Sequence, residues 1–105
     1  MTPEAKVKKK VKEILKEYGV YNFMPATHGY GSSGVPDIVA CFEGRFIGIE
    51  CKAKLNKPTQ LQIKNLLDIQ SAGGIALVIN ETNIEDLVEC LEGKNPPPIK
   101  WTLTS

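Results

Sequence analysis

Near the amino end, Val7, Val11, Ile14, Leu15 and Tyr18 recur at three- and four-residue spacings that draw one apolar stripe along a helix. Thr2 is placed to cap that helix, Pro3 suits its first position, and Gly19 suits its end. Residues 20–24 predict a strand that stops at Pro25, which has no N–H for a ladder. The period then changes to two. Ile38, Ala40 and Phe42 alternate with Asp37, Val39 and Cys41, and Ile47, Ile49, Cys51 and Ala53 alternate with Gly48, Glu50, Lys52 and Lys54. This predicts a hairpin turning at Glu43-Gly44, in which paired positions sum to 87. Ile38 then meets Ile49 and Ala40 meets Ile47, so one face is apolar throughout.

After a short connection, Leu55-Asn56-Lys57-Pro58-Thr59, a second helix starts at Thr59 or just before Pro58. Gln60, Ile63, Leu66, Leu67 and Gln70 share one of its faces, which turns Gln60 toward the sheet, and Gly73-Gly74 ends it. The continuous apolar run 75–79 predicts a strand buried on both faces. Thr82-Asn83-Ile84-Glu85 has the capping-box pattern, and Ile84, Leu87, Val88 and Leu91 give a third helix its stripe. Asn95-Pro96-Pro97-Pro98 is a stiff spacer before an expected edge strand over 99–103, where Trp101 covers the core or meets a second subunit. Helix, three strands, helix, buried strand, helix and edge strand make an α/β layer fold around a mixed sheet, as one domain over 1–105.

Composition adds little to that picture except through charge and cysteine. With 42% hydrophobic and 24% charged residues the chain is ordinary for a globular domain, with no apolar run able to span a bilayer and no secretory leader. Cys41, Cys51 and Cys90 form no CxxC pair, which predicts free thiols, an intracellular location and no structural zinc. The net charge of +1 hides an asymmetry: residues 1–64 carry eleven Lys/Arg against six Asp/Glu, whereas 65–105 carry two against six. A basic front of this kind suits docking on a polyanion, and it equally suits the solvated side of a lysine-rich helix.

The candidate chemistry lies in the hairpin. The expected register sets Asp37 opposite Glu50, with Lys52 on the same face one step along. Like charges placed across a ladder destabilise it. A divalent cation between the two carboxylates relieves that cost, since Mg²⁺ takes carboxylate, phosphate and water oxygens. Metal-activated attack of water on a phosphodiester is the reaction such a set serves, with Lys52 stabilising developing negative charge. Glu4 projects from the inward stripe of the first helix, either as a first-turn acid favoured by the helix dipole and paired with Lys8, or as a third carboxylate at the hairpin. The stretch from Ala26 to Pro36 is rich in glycine and hydroxyls, but no GK[ST] follows, which excludes a nucleotide P-loop. His28, the sole histidine, reads as a surface loop residue or a phosphate contact.

Gly34-Val35-Pro36-Asp37, thirteen residues before Glu50-Cys51-Lys52 and followed by Gln60, resembles the PD-(D/E)xK nuclease superfamily. The finer resemblance is to the virus-type replication-repair nuclease domain (VRR-NUC), similar in its core to Holliday-junction resolvases, and it covers roughly residues 3–79. It implies an αβββαβ core with Asp37, Glu50 and the Cys51 backbone carbonyl as ligands of Mg²⁺, for which Mn²⁺ substitutes. It further implies that Lys52 positions or activates the attacking water, and that Glu4 reaches the metal directly or through water. Gln60 corresponds to the glutamine typical of this branch after the ExK strand, and Ser32 or Ser33 to loop hydroxyls near the scissile phosphate. The implied protein is a homodimeric endonuclease of a bacterial or phage-infected cell, acting on branched or four-way DNA in repair or recombination.

Further DNA contacts are expected from Lys6 and Lys9 on the first helix and from Arg45, Lys54, Lys57 and Lys64. Two other readings stay open: a non-catalytic module that binds branched nucleic acid, and the same chemistry on flaps, nicks or RNA.

Overall fold

The computed structural model describes residues 1–26 and 34–104. Helix α1 (Pro3–Glu17) begins as its sequence demands, with the Thr2 hydroxyl accepting the Ala5 N–H at 3.1 Å and Pro3 in the first turn. Strands β1 (Tyr21–Phe23), β2 (Ile38–Phe42) and β3 (Arg45–Cys51) follow, then α2 (Gln60–Ser71), β4 (Ile75–Ile79) and α3 (Ile84–Leu91). The sheet order is β1-β2-β3-β4, antiparallel at the first two junctions and parallel between β3 and β4, where α2 makes the crossover. This is an α/β fold on a four-stranded mixed sheet.

The hairpin register is the expected one, with Ile38 opposite Ile49, Ala40 opposite Ile47 and Phe42 opposite Arg45. Glu43 and Gly44 both take positive φ, 52° and 80°, the requirement of a type I′ turn whose twist matches the strands it joins. The apolar face formed by Ile38, Ala40, Ile47, Ile49 and Cys51 packs with Ile75, Leu77 and Ile79 against the buried stripe of α1 and against Leu87, Cys90 and Leu91 of α3. The alternate face, through Gly48, receives Ile69 of α2. The cysteines are free; Cys51 and Cys90 are buried, while Cys41 is exposed. No helix among the described residues is long and apolar enough to cross a membrane.

Four local expectations are corrected. The first strand is shorter, since Val20 turns into the core and its N–H goes to Leu15 O. Helix α2 starts at Thr59 as expected, in a capping box with Gln62, but Gln60 is exposed rather than turned to the sheet. Thr82 does not cap α3. Its hydroxyl donates to Asn80 Oδ1 at 2.6 Å, and Asn83 holds the turn, its Oδ1 accepting the Asn80 N–H and its Nδ2 donating to the Val78 carbonyl.

The fourth correction concerns residues 99–103, which form no strand. Pro96, Pro97 and Pro98 supply no donors, and the segment that follows is held by a side chain instead of a ladder. Gln60 donates to the Thr102 carbonyl at 3.4 Å and accepts the Thr104 N–H at 2.7 Å. Trp101 is half-buried and lines a cleft with Ala76, Leu77 and Val78 of β4, so it covers the edge of the sheet without pairing to it.

Candidate functional site

Asp37 is delivered to the end of the sheet by a tightly constrained approach. Gly34 has φ of 68° and lies so close to α2 that a Cβ there would fall 2.7 Å from the Leu61 backbone. Only glycine accepts both the conformation and the contact. Pro36 is buried next to it in sequence, and Asp37 emerges one position before the first ladder pair of β2.

The two carboxylates meet there. Asp37 Oδ2 accepts the Cys51 backbone N–H at 2.8 Å. Glu50, the penultimate residue of β3, is 2% exposed; its Oε2 lies 3.4 Å from Lys52 Nζ, and its buried Oε1 has no hydrogen-bond partner among the described residues. Burial first, and the Asp37 carboxylate second, push the Glu50 pKa up to about 8, against the opposing pull of Lys52. Without a cation, the protonated form of Glu50 is therefore favoured well above the ordinary carboxylate range. The adjoining Cys51 thiol is pushed up to about 12, again by burial and then by Asp37 and Glu50, which removes it from consideration as a thiolate nucleophile.

The peptide after Cys51 adds a backbone oxygen to this end of the sheet. Lys52 N–H donates across to Ile79 O of β4 at 2.9 Å. The peptide is trans, so the Cys51 carbonyl projects the opposite way, to the side of β3 on which Asp37 lies.

Lys8 is the residue that sequence reasoning missed here. Its Nζ stands 3.6 Å from Glu4 Oε2 and 3.6 Å from Asp37 Oδ1, linking α1 to the start of β2. Burial works against its charge, but Asp37 and Glu4 outweigh burial and raise its pKa. The signal was present as the four-residue spacing from Glu4, which by itself announces only a surface pair.

Of the expected site residues, Glu4, Asp37, Glu50 and Lys52 are thus joined in one charge network, with Glu4 reaching Asp37 through Lys8. Gln60 stands apart from it, hydrogen-bonded to Thr102 and Thr104. Ser32, Ser33 and His28 lie outside the described residues. Lys6 borders a groove with Lys10, Glu81 and Ile84, and Lys9 borders another with Lys12 and Asn22. Lys54 and Lys57 are exposed in the connection that leaves β3. Lys64 is engaged by Asp68 at 2.8 Å, and Arg45 by the Gly73 carbonyl at the far end of β3 from Glu50.

Among the described residues no three His, Cys, Asp or Glu side chains come together as a metal-holding group. Asp37 and Glu50 are two, which is the number of carboxylates Mg²⁺ commonly draws from a protein when substrate phosphate and water complete its shell. A buried, unpartnered carboxylate oxygen beside a second carboxylate fits that role, because leaving it unpaired costs about 1–3 kcal/mol. Compared with protein-family models and with curated proteins, the chain matches none.

Proposed function

We propose that this chain is a metal-dependent, structure-selective DNA endonuclease of the PD-(D/E)xK type, with the VRR-NUC domain and the Holliday-junction resolvases as its relatives in kind. The observation that carries the reading is Oε1 of Glu50, buried beside Asp37 and without a hydrogen-bond partner among the described residues. The element order α1-β1-β2-β3-α2-β4 supports it as well, since it is the αβββαβ order of that core.

Asp37, Glu50 and the Cys51 carbonyl are the residues that hold Mg²⁺, with Mn²⁺ as a substitute. Held there, the ion would supply Lewis-acid activation of the phosphodiester and of the attacking water. The chain's own groups do the rest. The Cys51 N–H fixes the Asp37 carboxylate through Oδ2, so that Oδ1, which faces Lys8, is the oxygen turned to the ion. Lys52, tethered 3.4 Å from Glu50, keeps a positive charge where negative charge accumulates as the phosphodiester is attacked. Glu50 gives up its proton when the site is loaded, which couples binding to pH.

The proposed substrate is branched DNA, four-way junctions above all, cut by a homodimer within a bacterial or phage-infected cell. The exposed Tyr21 and Phe23 of the edge strand β1, with Phe46 of β3 in the same cross-strand row as Tyr21, support pairing with a second copy. The test is cleavage of a synthetic four-way junction beside flap, splayed and linear duplexes and an RNA duplex, with Mg²⁺ or Mn²⁺. Paired symmetric nicks confined to the junction are expected. Absence of cleavage of every substrate with either ion overturns the reading, and cutting of flaps or RNA alone redirects the same chemistry.

A further inference from the structure

Lys8 differs from the other lysines of α1 in what it touches. Lys6, Lys9 and Lys10 are exposed, and Lys12 donates to Asn22 Oδ1 at the edge of the sheet. Lys8 alone among the described α1 lysines lies within ion-pair reach of Asp37. Its two contacts, both at 3.6 Å, are longer than the 2.7–2.9 Å of a charge-assisted hydrogen bond. The ammonium is therefore held by charge rather than by directed bonds, and its side chain is 28% exposed on a flexible four-carbon stem. Glu50 Oε1, buried and unpartnered, lies across the same Asp37 carboxylate. One monovalent cation thus serves Glu4 and Asp37 from the α1 side, while Lys52 meets Glu50 at Oε2 and neither ammonium bonds its Oε1.

We infer that Lys8 is the site's built-in counter-ion: it neutralises Glu4 and Asp37 in the metal-free protein and gives up Asp37 when a divalent cation binds. Its departure frees Glu4 to face the ion or the ion's water shell. This rests on the metal-site reading of Asp37 and Glu50, and it makes Lys8 a positioning residue that sets the Mg²⁺ concentration at which the site fills. An ammonium already seated on a ligand opposes an arriving dication twice, by competing for the carboxylate and by repelling the ion.

Isothermal titration of the full chain with MgCl₂ tests this, using the parent, Lys8→Met, Lys8→Arg and Asp37→Asn. Lys8→Met is expected to bind Mg²⁺ about three- to tenfold more tightly, in the range set by removing a part-exposed charge pair. Lys8→Arg, which keeps the charge, binds no more tightly than the parent. Without metal, Lys8→Met melts a few degrees below the parent, about what loss of a part-exposed pair predicts, and saturating Mg²⁺ erases the difference. The Mg²⁺ concentration for half-maximal cleavage falls in parallel. Mg²⁺ affinity of Lys8→Met equal to or weaker than that of the parent overturns the counter-ion role alone. Absence of Mg²⁺ binding in parent and variants alike overturns the metal-site reading and the role together. Should Lys8→Met fail to fold, Lys8→Gln carries the same comparison.

Discussion

Asp37 Oδ2 accepts the backbone N–H of Cys51 at 2.8 Å, so the acid ahead of β2 is tied to the residue that follows the acid of β3. That bond, rather than a ladder pair, brings the Asp37 and Glu50 carboxylates together. An acceptor is needed whether or not Asp37 is charged, because the Cys51 N–H is otherwise left without its partner. Asp37→Asn keeps an acceptor in place; Asp37→Ala removes it. The alanine variant is expected to be less stable than the asparagine variant by about 1 kcal/mol in urea denaturation without metal. Both variants lose cleavage and Mg²⁺ binding.

Stability in the absence of metal should fall as pH rises. Glu50 has a folded pKa of about 8 against an ordinary 4.5, so between these values the folded chain holds a proton that the unfolded chain has released. The contribution of Glu50 is therefore least unfavourable below about 4.5, worsens through about 8, and is constant above. The loss across the window is about 5 kcal/mol at most. Denaturation in a chelating buffer at about pH 5 and about pH 9 measures it. Glu50→Gln, which is uncharged at both, should flatten the dependence.

Mg²⁺ should reverse that trend. Binding requires the Glu50 carboxylate, so near neutral pH it must expel the Glu50 proton, and affinity should rise as pH approaches about 8. Titration calorimetry in two buffers of different ionisation enthalpy should register proton release, larger below that pH than above it. At a hundredfold excess over Kd, Mg²⁺ is expected to raise the melting temperature by about 10 °C or more. Asp37→Asn should show neither effect.

Gln60 should behave as an anchor for the carboxy-terminal segment. Its Oε1 accepts the Thr104 N–H at 2.7 Å and its Nε2 donates to the Thr102 carbonyl, both on the exposed side of α2. Gln60→Ala is expected to cost about 1 kcal/mol and to speed hydrogen exchange at Thr104. Its effect on cleavage should be far smaller than that of Asp37→Ala, assayed on the same junction. An equal loss would place Gln60 in the chemistry.

Local chemistry was legible from the chain alone wherever neighbours in sequence are also neighbours in space. The cap at Thr2, the apolar stripe of α1, the hairpin register and the doubly buried β4 all depend on spacings of two to four residues or on one tight turn. The register in turn predicted that Asp37 and Glu50 end up at the same end of the sheet, with Lys52 next to Glu50. Where two local devices competed, spacing did not decide: Thr82 satisfies the capping-box pattern, yet Asn80 and Asn83 take the same turn with amide side chains that reach three backbone groups. The segment 99–103 has strand-like composition, but a strand needs a partner edge at the right distance and direction. The prolines before it and Gln60 beside it hold it otherwise.

What the sequence determined by itself was the order of elements, the hairpin pairing and the identity of the two acids and the lysine at its end. Tertiary structure alone decided that Glu50 is buried with one oxygen unpaired among the described residues, that Lys8 stands between Glu4 and Asp37, and that Gln60 faces the carboxy-terminal segment. The reason is physical. Periodicity records which side of an element is apolar, while the charge state of a carboxylate depends on how much water and which ions surround it in three dimensions. Those surroundings come from α1, β2 and β3 at once, and no single stretch of the chain contains them.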